Sequence, residues 1–398
     1  MPRIANCHNI ADLRRRAKAK LPRPMFDYID GGADDEWTMR RNSSAFDDWE
    51  LLPNYLRNIA TIDLRTEVLG CTLDLPFFLA PTGMSRLFHH HKELGACRAA
   101  EKFGTLYTLS TMGTTSLEDI ATTTQTPKMF QIYILKDREL TREFVQRCKA
   151  AHYRALCLTV DTPLAGNRER DLYNGMTMPP KITLKNLFSY GFSFDWLFHL
   201  ALSPDFKLAN VAHRVDALGG GAMGLIDYVN SQFDRSVTWD DAAWLADQWD
   251  GPFVIKGLQS VEDVKRAREI GASAVMVSNH GGRQLEGAPA PIDCIPALRD
   301  AIGNDLELIL DGGVRRGTHV IKALALGADA CSIGRPYLYG LAAGGQAGVE
   351  RTLKLLRAEV ERSMALLGVS ATAELGTEHV RKVGSSSRCD LSSTDKVL

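Results

Sequence analysis

Residues 306–335 read LELILDGGVRRGTHVIKALALGADACSIGR. A short apolar run, Leu306 to Leu310, stops on an acid, two glycines and two arginines. The next segment, GTHVIKALALG, has a helical pattern and closes on glycine, a common helix terminator. A second apolar run, Ala330 to Ile333, again ends on glycine and arginine. Strand, turn, helix and strand in this order form the parallel βαβ unit.

The same unit recurs upstream. Further apolar runs are Leu75 to Ala80 (LPFFLA), Tyr107 to Thr111 (YTLST), Met129 to Leu135 (MFQIYIL) and Ala155 to Val160 (ALCLTV). Phe253 to Lys256 (FVIK) and Ala274 to Ser278 (AVMVS) complete the set. Strands apolar throughout, alternating with helices, belong to a parallel sheet covered by helices. Eight such units are the number that closes a (β/α)8 TIM barrel, so the expected fold class is α/β; an open doubly wound sheet is the alternative. Strand starts are about 20 to 35 residues apart, except for about 98 between the fourth and fifth. That connection, residues 162–235, reads as an elaborated loop on the face where the strands end. Residues 1–70 carry helical patterns and no convincing strand, forming an N-terminal helical extension. One domain is expected over residues 1–383, with a serine-rich, disordered tail over 384–398.

The 398 residues are 45% hydrophobic and 24% charged, as in soluble globular proteins. A net charge of -1 gives no global field for nucleic acid. Eight cysteines without a C-x-x-C pair point to reduced thiols and a cytoplasmic location. The first residues lack an apolar signal region, and no stretch of about 18 apolar residues reads as a spanning helix.

In a closed barrel the chemistry lies where the strands end. Those ends read APTG, STM, QIY, TVD, KG, SNHGGR, DGGVRRG and GRP. Asp311 to Gly317 and Gly334-Arg335 combine glycines, which admit an anion to backbone amides, with arginines that fork onto phosphate. A phosphorylated ligand is expected there; turn glycines with surface arginines are the bland alternative. His280 follows the sixth strand, and Asp161 ends the fourth. A carboxylate beside an imidazole stabilises its protonated form, as a general base requires. Arg283 and Arg168 together suit a substrate carboxylate.

Other features are weaker. Gly219 to Gly224 match G-x-G-x-x-G but follow no strand, so a turn is expected rather than a dinucleotide site. His89, His90 and His91 invite a metal, but adjacent loop residues rarely converge on one ion and no metal site is expected. Arg14, Arg15, Arg16, Lys18 and Lys20 read as a solvated helix face, with anionic lipid as the alternative. Phe188, Tyr190, Phe192, Phe194, Trp196 and Phe198 put an aromatic at every second position, after Lys181 and Lys185. That pattern suits a membrane interface, or equally a flap over the barrel or a subunit contact.

The run SNHGGRQL, with LTVDTP, FQIY, DGGVRRG and IGRP, resembles the FMN-dependent α-hydroxy acid dehydrogenase/oxidase family. The likeness extends from about Ile10 to Arg381, and length and the long fourth loop favour the bacterial lactate and mandelate dehydrogenases. The resemblance implies oxidation of a small (S)-2-hydroxy acid, foremost L-lactate to pyruvate, with electrons passed to a quinone or cytochrome. An (S)-mandelate dehydrogenase and an oxygen-using glycolate or lactate oxidase are the alternatives. It also implies a homotetramer, with residues 186–202 touching the cytoplasmic side of the inner membrane.

By resemblance, His280 is the base, Asp161 its carboxylate, and Arg168 and Arg283 the carboxylate clamps. Tyr28 and Tyr133 contact substrate oxygens, and Lys256 is the cation beside the flavin's pyrimidine edge. Pro81, Thr82, Gly83, Ser110, Gln131, Thr159 and Ser278 match flavin-ring contacts. Asp311, Gly313, Arg315, Gly334 and Arg335 match the ribityl-phosphate site. His280 takes either the α-hydrogen as a proton or the hydroxyl proton as hydride leaves; both fit these residues. Glu286 stands where the family has aspartate, and Met112 and Ala165 fall at positions that shape the substrate pocket. Gly83 matches the dehydrogenases, whereas the oxidases carry alanine there.

Overall fold

The computed structural model describes residues 4–174, 193–202, 207–216 and 231–384. Three short strands come first: β1 (Trp49–Leu51), β2 (Thr66–Val68) and β3 (Cys71–Leu73). Eight parallel strands then close a barrel: β4 (Phe77–Thr82), β5 (Tyr107–Ser110), β6 (Lys128–Ile132), β7 (Ala155–Thr159), β8 (Phe253–Leu258), β9 (Ala274–Ser278), β10 (Glu307–Asp311) and β11 (Ala330–Ile333). Each pairs with its sequence neighbours, and β11 pairs with β4 to close the ring. β12 (Val380–Lys382) lies outside the barrel. The open sheet is thereby excluded, and each expected apolar run overlaps one barrel strand.

Helices α1 (Ile10–Lys20), α2 (Arg23–Asp30) and α3 (Trp37–Ser44) precede the barrel. α4 (Lys92–Lys102), α5 (Leu117–Thr123) and α6 (Arg138–Ala150) join its first four strands. Between β7 and β8 lie α7 (Glu169–Tyr173), α8 (Phe194–Leu202), α9 (Ala212–Asp216) and α10 (Trp239–Asp247). α11 (Val261–Glu269), α12 (Pro291–Ile302) and α13 (Gly317–Ala325) join the remaining strands. α14 (Arg335–Leu367) follows, broken where Gly344 and Gly345 leave helical geometry. Ser116, Asp137 and Ser260 start α5, α6 and α11 by accepting the amides of Asp119, Leu140 and Asp263.

Alternation along each strand divides the core in two. Phe77, Leu79, Leu156, Leu158, Val275 and Val277 face outward, into the cluster shared with the helices. Phe78, Met129, Cys157, Val254, Met276 and Ile309 fill the barrel interior. Strands buried on both faces read as unbroken apolar runs, which is why the sequence marks them clearly.

The first 70 residues correct the sequence reading, because they hold short strands as well as helices. β2 and β3 form a hairpin whose Val68, Leu69 and Leu73 join the interior cluster. The Glu307 carboxylate accepts the Leu69 amide, and Arg154 donates to the Leu69 and Gly70 carbonyls, fixing the hairpin there. β1 pairs antiparallel with β12, tying the extension to the chain's last strand. Strands of three residues are too short for a two-residue period to register.

The aromatic alternation runs partly into a helix. Residues 186–192 lie outside the described residues, and 194–202 are helical. On a helix the same residues divide by face: Trp196 is buried, its Nε1 donating to the Leu87 carbonyl, while Phe194, Leu197 and Phe198 are exposed. Residues 219–224 and the tail from 385 onward likewise lie outside the described residues. Among the described residues no helix is long and apolar enough to cross a membrane.

Candidate active site

Continuing the interior alternation toward the strand ends reaches Ser110, Gln131, Thr159, Lys256, Ser278, Asp311 and Ser332. The apolar interior therefore ends in a polar layer, and all of that layer except Ser278 floors a cavity of about 670 Å³. The cavity is also lined by Tyr28, Pro81, Thr82, Gly83, Tyr133, Arg168, His280, Arg283, Gly313, Arg315, Gly334 and Arg335. Of the catalytic, substrate and cofactor residues expected from sequence, Asp161 and Ser278 stand behind this lining. Asp161 backs His280, and Ser278 is fully buried against Lys256. β4/β5 and β8/β9 shift register near Pro81 and Gly257, the irregularity that barrels use to re-aim strand ends.

His280 is held in a left-handed backbone conformation with φ 56°, which costs a non-glycine residue about 1–2 kcal/mol. Its amide donates to Ser278 Oγ at 3.0 Å, and its Nδ1 lies 2.8 Å from Asp161 Oδ1. With Asp161 ionised, Nδ1 carries the proton and the Nε2 lone pair remains for chemistry. Burial pushes the imidazole down from its ordinary value, against the pull of Asp161, so it rests neutral. Once it gains a proton, the same Asp161 charge stabilises it. The turn continues through Gly282 (φ 73°), where a Cβ would lie 2.4 Å from the Met39 amide nitrogen. No side chain fits between this turn and α3.

Lys256 lies 3.7 Å from Asp161 and 3.5 Å from Asp311, and donates to Ser278 Oγ at 3.1 Å. Burial opposes its charge, but the two carboxylates outweigh that and raise its pKa, so the ammonium is permanent. For Asp161, burial is outweighed by Lys256 and His280, and the carboxyl stays ionised. Burial and the Asp161 charge push Tyr133 up to about 12, making its hydroxyl a donor at neutral pH.

The arginines are the site's unspent charge. Arg283 donates to the Tyr28 and Gly31 carbonyls, and Arg335 to those of Ile29, Gly281 and Gly31. Arg315 reaches the Val314 carbonyl. Burial lowers all three, Arg283 to about 10 with Arg168 adding repulsion. Partly buried guanidiniums that meet only neutral carbonyls favour an anion beside them. The Arg168 and Arg283 guanidiniums lie 5.5 and 5.0 Å from the Tyr28 ring centroid, bringing a residue of α2 to the catalytic face. At Gly313 (φ 77°) a Cβ would fall 1.8 Å from the Asn42 carbonyl oxygen, so the loop beside Arg315 is tight against α3.

Whether FMN suits this cavity is answered by its unsatisfied groups. Among the described residues, Gln131 Nε2, Thr159 Oγ1 and Ser332 Oγ are buried without a hydrogen-bond partner, and all three residues line the cavity. They offer what a flavin ring's polar edge needs, and Lys256 adds a fixed cation. Arg315 and Arg335 beside Gly313 and Gly334 offer what a phosphate needs. The residues fit the group.

The sequence reading missed Gln284, which donates to the Asp161 and Leu164 carbonyls and accepts the Gly166 amide. It pins the segment leading to Arg168; its place in GGRQL was the available signal. Glu286, the departure from aspartate, accepts the amides of Trp37 and Thr38 and so caps α3 from another part of the chain. The expectation that the three histidines do not converge is corrected: their ligand atoms lie within 4.8 Å of one another. However, His89 Nδ1 accepts the His91 amide and His91 Nδ1 accepts the Gln346 amide. Those acceptor roles leave the proton of each ring on Nε2, so neither offers a metal a lone pair without losing a backbone bond. Of the basic α1 residues, Arg14 pairs with Asp30, Arg15 with Asp12, and Arg16 donates to the Ala343 carbonyl. Much of that charge is used within the protein.

Comparison with known proteins gives the family. The family model described as FMN-dependent dehydrogenase matches residues 17–382. This chain belongs to that family. It is 40% identical over 382 residues to a putative L-lactate dehydrogenase of Mycobacterium tuberculosis, covering 96% of this chain and 91% of the relative. It is 42% identical over 381 residues to an L-lactate oxidase of Nostoc sp., covering 95% and 99%. The crystal structure of a monotopic membrane protein, (S)-mandelate dehydrogenase, superposes with a TM-score of 0.91 at 33% identity, covering 95% of this chain and all of the other. The protein is an FMN-dependent oxidoreductase of 2-hydroxy acids.

Proposed function

We propose that this enzyme oxidises L-lactate to pyruvate and passes the electrons to a quinone or cytochrome. The observation that carries the reading is His280, neutral and facing the cavity, with Asp161 2.8 Å behind it and Arg283 and Arg168 in the same lining. A 2-hydroxy acid presents a carboxylate, a hydroxyl and an activated hydrogen on adjacent atoms. Arg168 and Arg283 hold the carboxylate, and the Tyr133 and Tyr28 hydroxyls hold the oxygens. His280 Nε2 takes the proton, and Asp161 stabilises the resulting imidazolium. Bound FMN supplies the acceptor for the two electrons. Gln131, Thr159 and Lys256 hold its ring, and Arg315 and Arg335 its phosphate.

Relatives named for lactate support that substrate. A second reading, (S)-mandelate, is favoured by the wall of Met84, Phe88, Met112, Leu164 and Phe233, which suits an aromatic side chain, and by the mandelate dehydrogenase likeness. Initial rates of anaerobic flavin reduction with L-lactate and (S)-mandelate separate the two. Faster reduction by mandelate at matched saturation rejects lactate as the preferred substrate.

Gly83 supports the dehydrogenase reading over the oxidase one. The exposed Phe194, Leu197 and Phe198 of α8 support a membrane contact through residues 186–202 on the cytoplasmic side of the inner membrane.

A further inference from the structure

α7 contributes an acid to the cavity that none of the roles above uses. Asp171 lines the same space as Arg168 and Arg283, with 14% of its side chain exposed. Its Oδ2 lies 3.6 Å from Arg168 Nε, and its backbone amide donates to the Arg168 carbonyl at 2.9 Å, completing the first turn of the helix. The neighbouring Arg170 is committed elsewhere, to Asp27, Asp30 and Glu36. Among the described residues, Arg168 is the cation within ion-pair distance of Asp171, and the Arg283 charge acts on the same carboxylate.

The edge used is what matters. A guanidinium presents Nε on the side nearest its own chain and two terminal amino groups on the other. An acid held at Nε leaves the terminal groups for an incoming carboxylate. The Tyr28 ring under Arg168 restricts the guanidinium's remaining freedom. Charge balance agrees: burial pushes the Asp171 carboxyl up, and Arg283 and Arg168 pull against that. On Arg168 itself, burial is outweighed by Tyr28 and Asp171, which keep it charged.

We infer that Asp171 is a positioning residue for substrate binding, holding Arg168 by its Nε edge so that the terminal amino groups meet the substrate carboxylate. The inference rests on the 2-hydroxy acid reading of the site. A carboxylate clamp acts equally on bound substrate and transition state, so weakening it raises KM and leaves kcat largely unchanged. A merely structural acid in the first turn of α7 would show no such split and no dependence on Arg168.

The test is a double-mutant cycle on the FMN-bound enzyme. Asp171→Asn and Asp171→Ala are made in wild type and in an Arg168→Met background, and KM and kcat are measured with a 2-hydroxy acid. In wild type both are expected to raise KM about tenfold, the scale of one charge-assisted contact, with kcat near wild type. In the Arg168→Met background the same changes should leave KM nearly unmoved, because the partner is already gone. If the alanine variant loses its flavin, the isosteric asparagine decides. Equal KM increases in both backgrounds, or a fall in kcat at unchanged KM, overturn the inference. Wild-type flavin that no 2-hydroxy acid reduces overturns the functional reading instead.

Discussion

Asp161→Asn changes almost no volume and removes the charge that the His280 imidazolium would lean on. In the native site the carboxylate lies 2.8 Å from Nδ1, and burial works against protonation of the ring. A hydrogen bond to a charged group contributes about 1.5–3 kcal/mol. Since about 1.4 kcal/mol is a factor of ten in rate, losing that stabilisation in the transition state should slow flavin reduction by about 10- to 150-fold. The pH profile adds an independent check. His280 must be neutral to act, so activity rises with pH through its pKa. Asp161 holds that pKa up against burial; without it the pKa falls further. The acid limb of the profile should therefore move to lower pH while the maximum drops. Lys256 keeps Asp311 at 3.5 Å, so FMN should remain bound. The assay is anaerobic stopped-flow reduction at saturating substrate across the acid range. A yellow variant reduced as fast as wild type, with an unmoved acid limb, would refute the Asp161–His280 pair.

Two further changes test other parts of the site. At Gly83 an added methyl would lie 2.8 Å from Met112 Cβ, and the Met84 amide is bonded to the Met112 carbonyl at 2.9 Å, so the segment must shift. Gly83→Ala should raise the ratio of oxygen consumption to quinone reduction; wild type that reoxidises in air as fast as with a quinone analogue is an oxidase. Replacing residues 186–202 with a short polar linker should abolish sedimentation with anionic liposomes at low salt while flavin reduction survives, and wild type that never sediments rules out the membrane contact.

What the sequence disclosed follows burial. β4 to β11 are buried on both faces, so each leaves an apolar run that stands out against its neighbours. The turns after β9 and β10 concentrate glycine and arginine because an anion and a close backbone are accommodated there. The polar layer of Ser110, Gln131, Thr159, Lys256 and Ser278 is different. It continues the two-residue alternation, but one polar residue at the end of an apolar run is no signal by itself, and the family resemblance singled these residues out. Tyr28 lies on α2, outside the barrel, and reaches the cavity through packing that no local pattern encodes. β1, β2 and β3 are too short to register. Asp171 was hidden in the charged run RERD, where any acid passes for a solvated one. The aromatics at 194, 196 and 198 keep a two-residue spacing in the sequence, but the helix 194–202 divides them between a buried and an exposed face.

The central claim is that His280 is the base for FMN-dependent oxidation of a 2-hydroxy acid. The direct measurement is anaerobic flavin reduction by L-lactate in wild type and in His280→Gln, followed by loss of the flavin's visible absorbance. Wild type should bleach, and the variant should keep bound yellow FMN while reduction slows by about 10² to 10⁴, the range for loss of a general base. A variant that bleaches at wild-type speed would contradict the account.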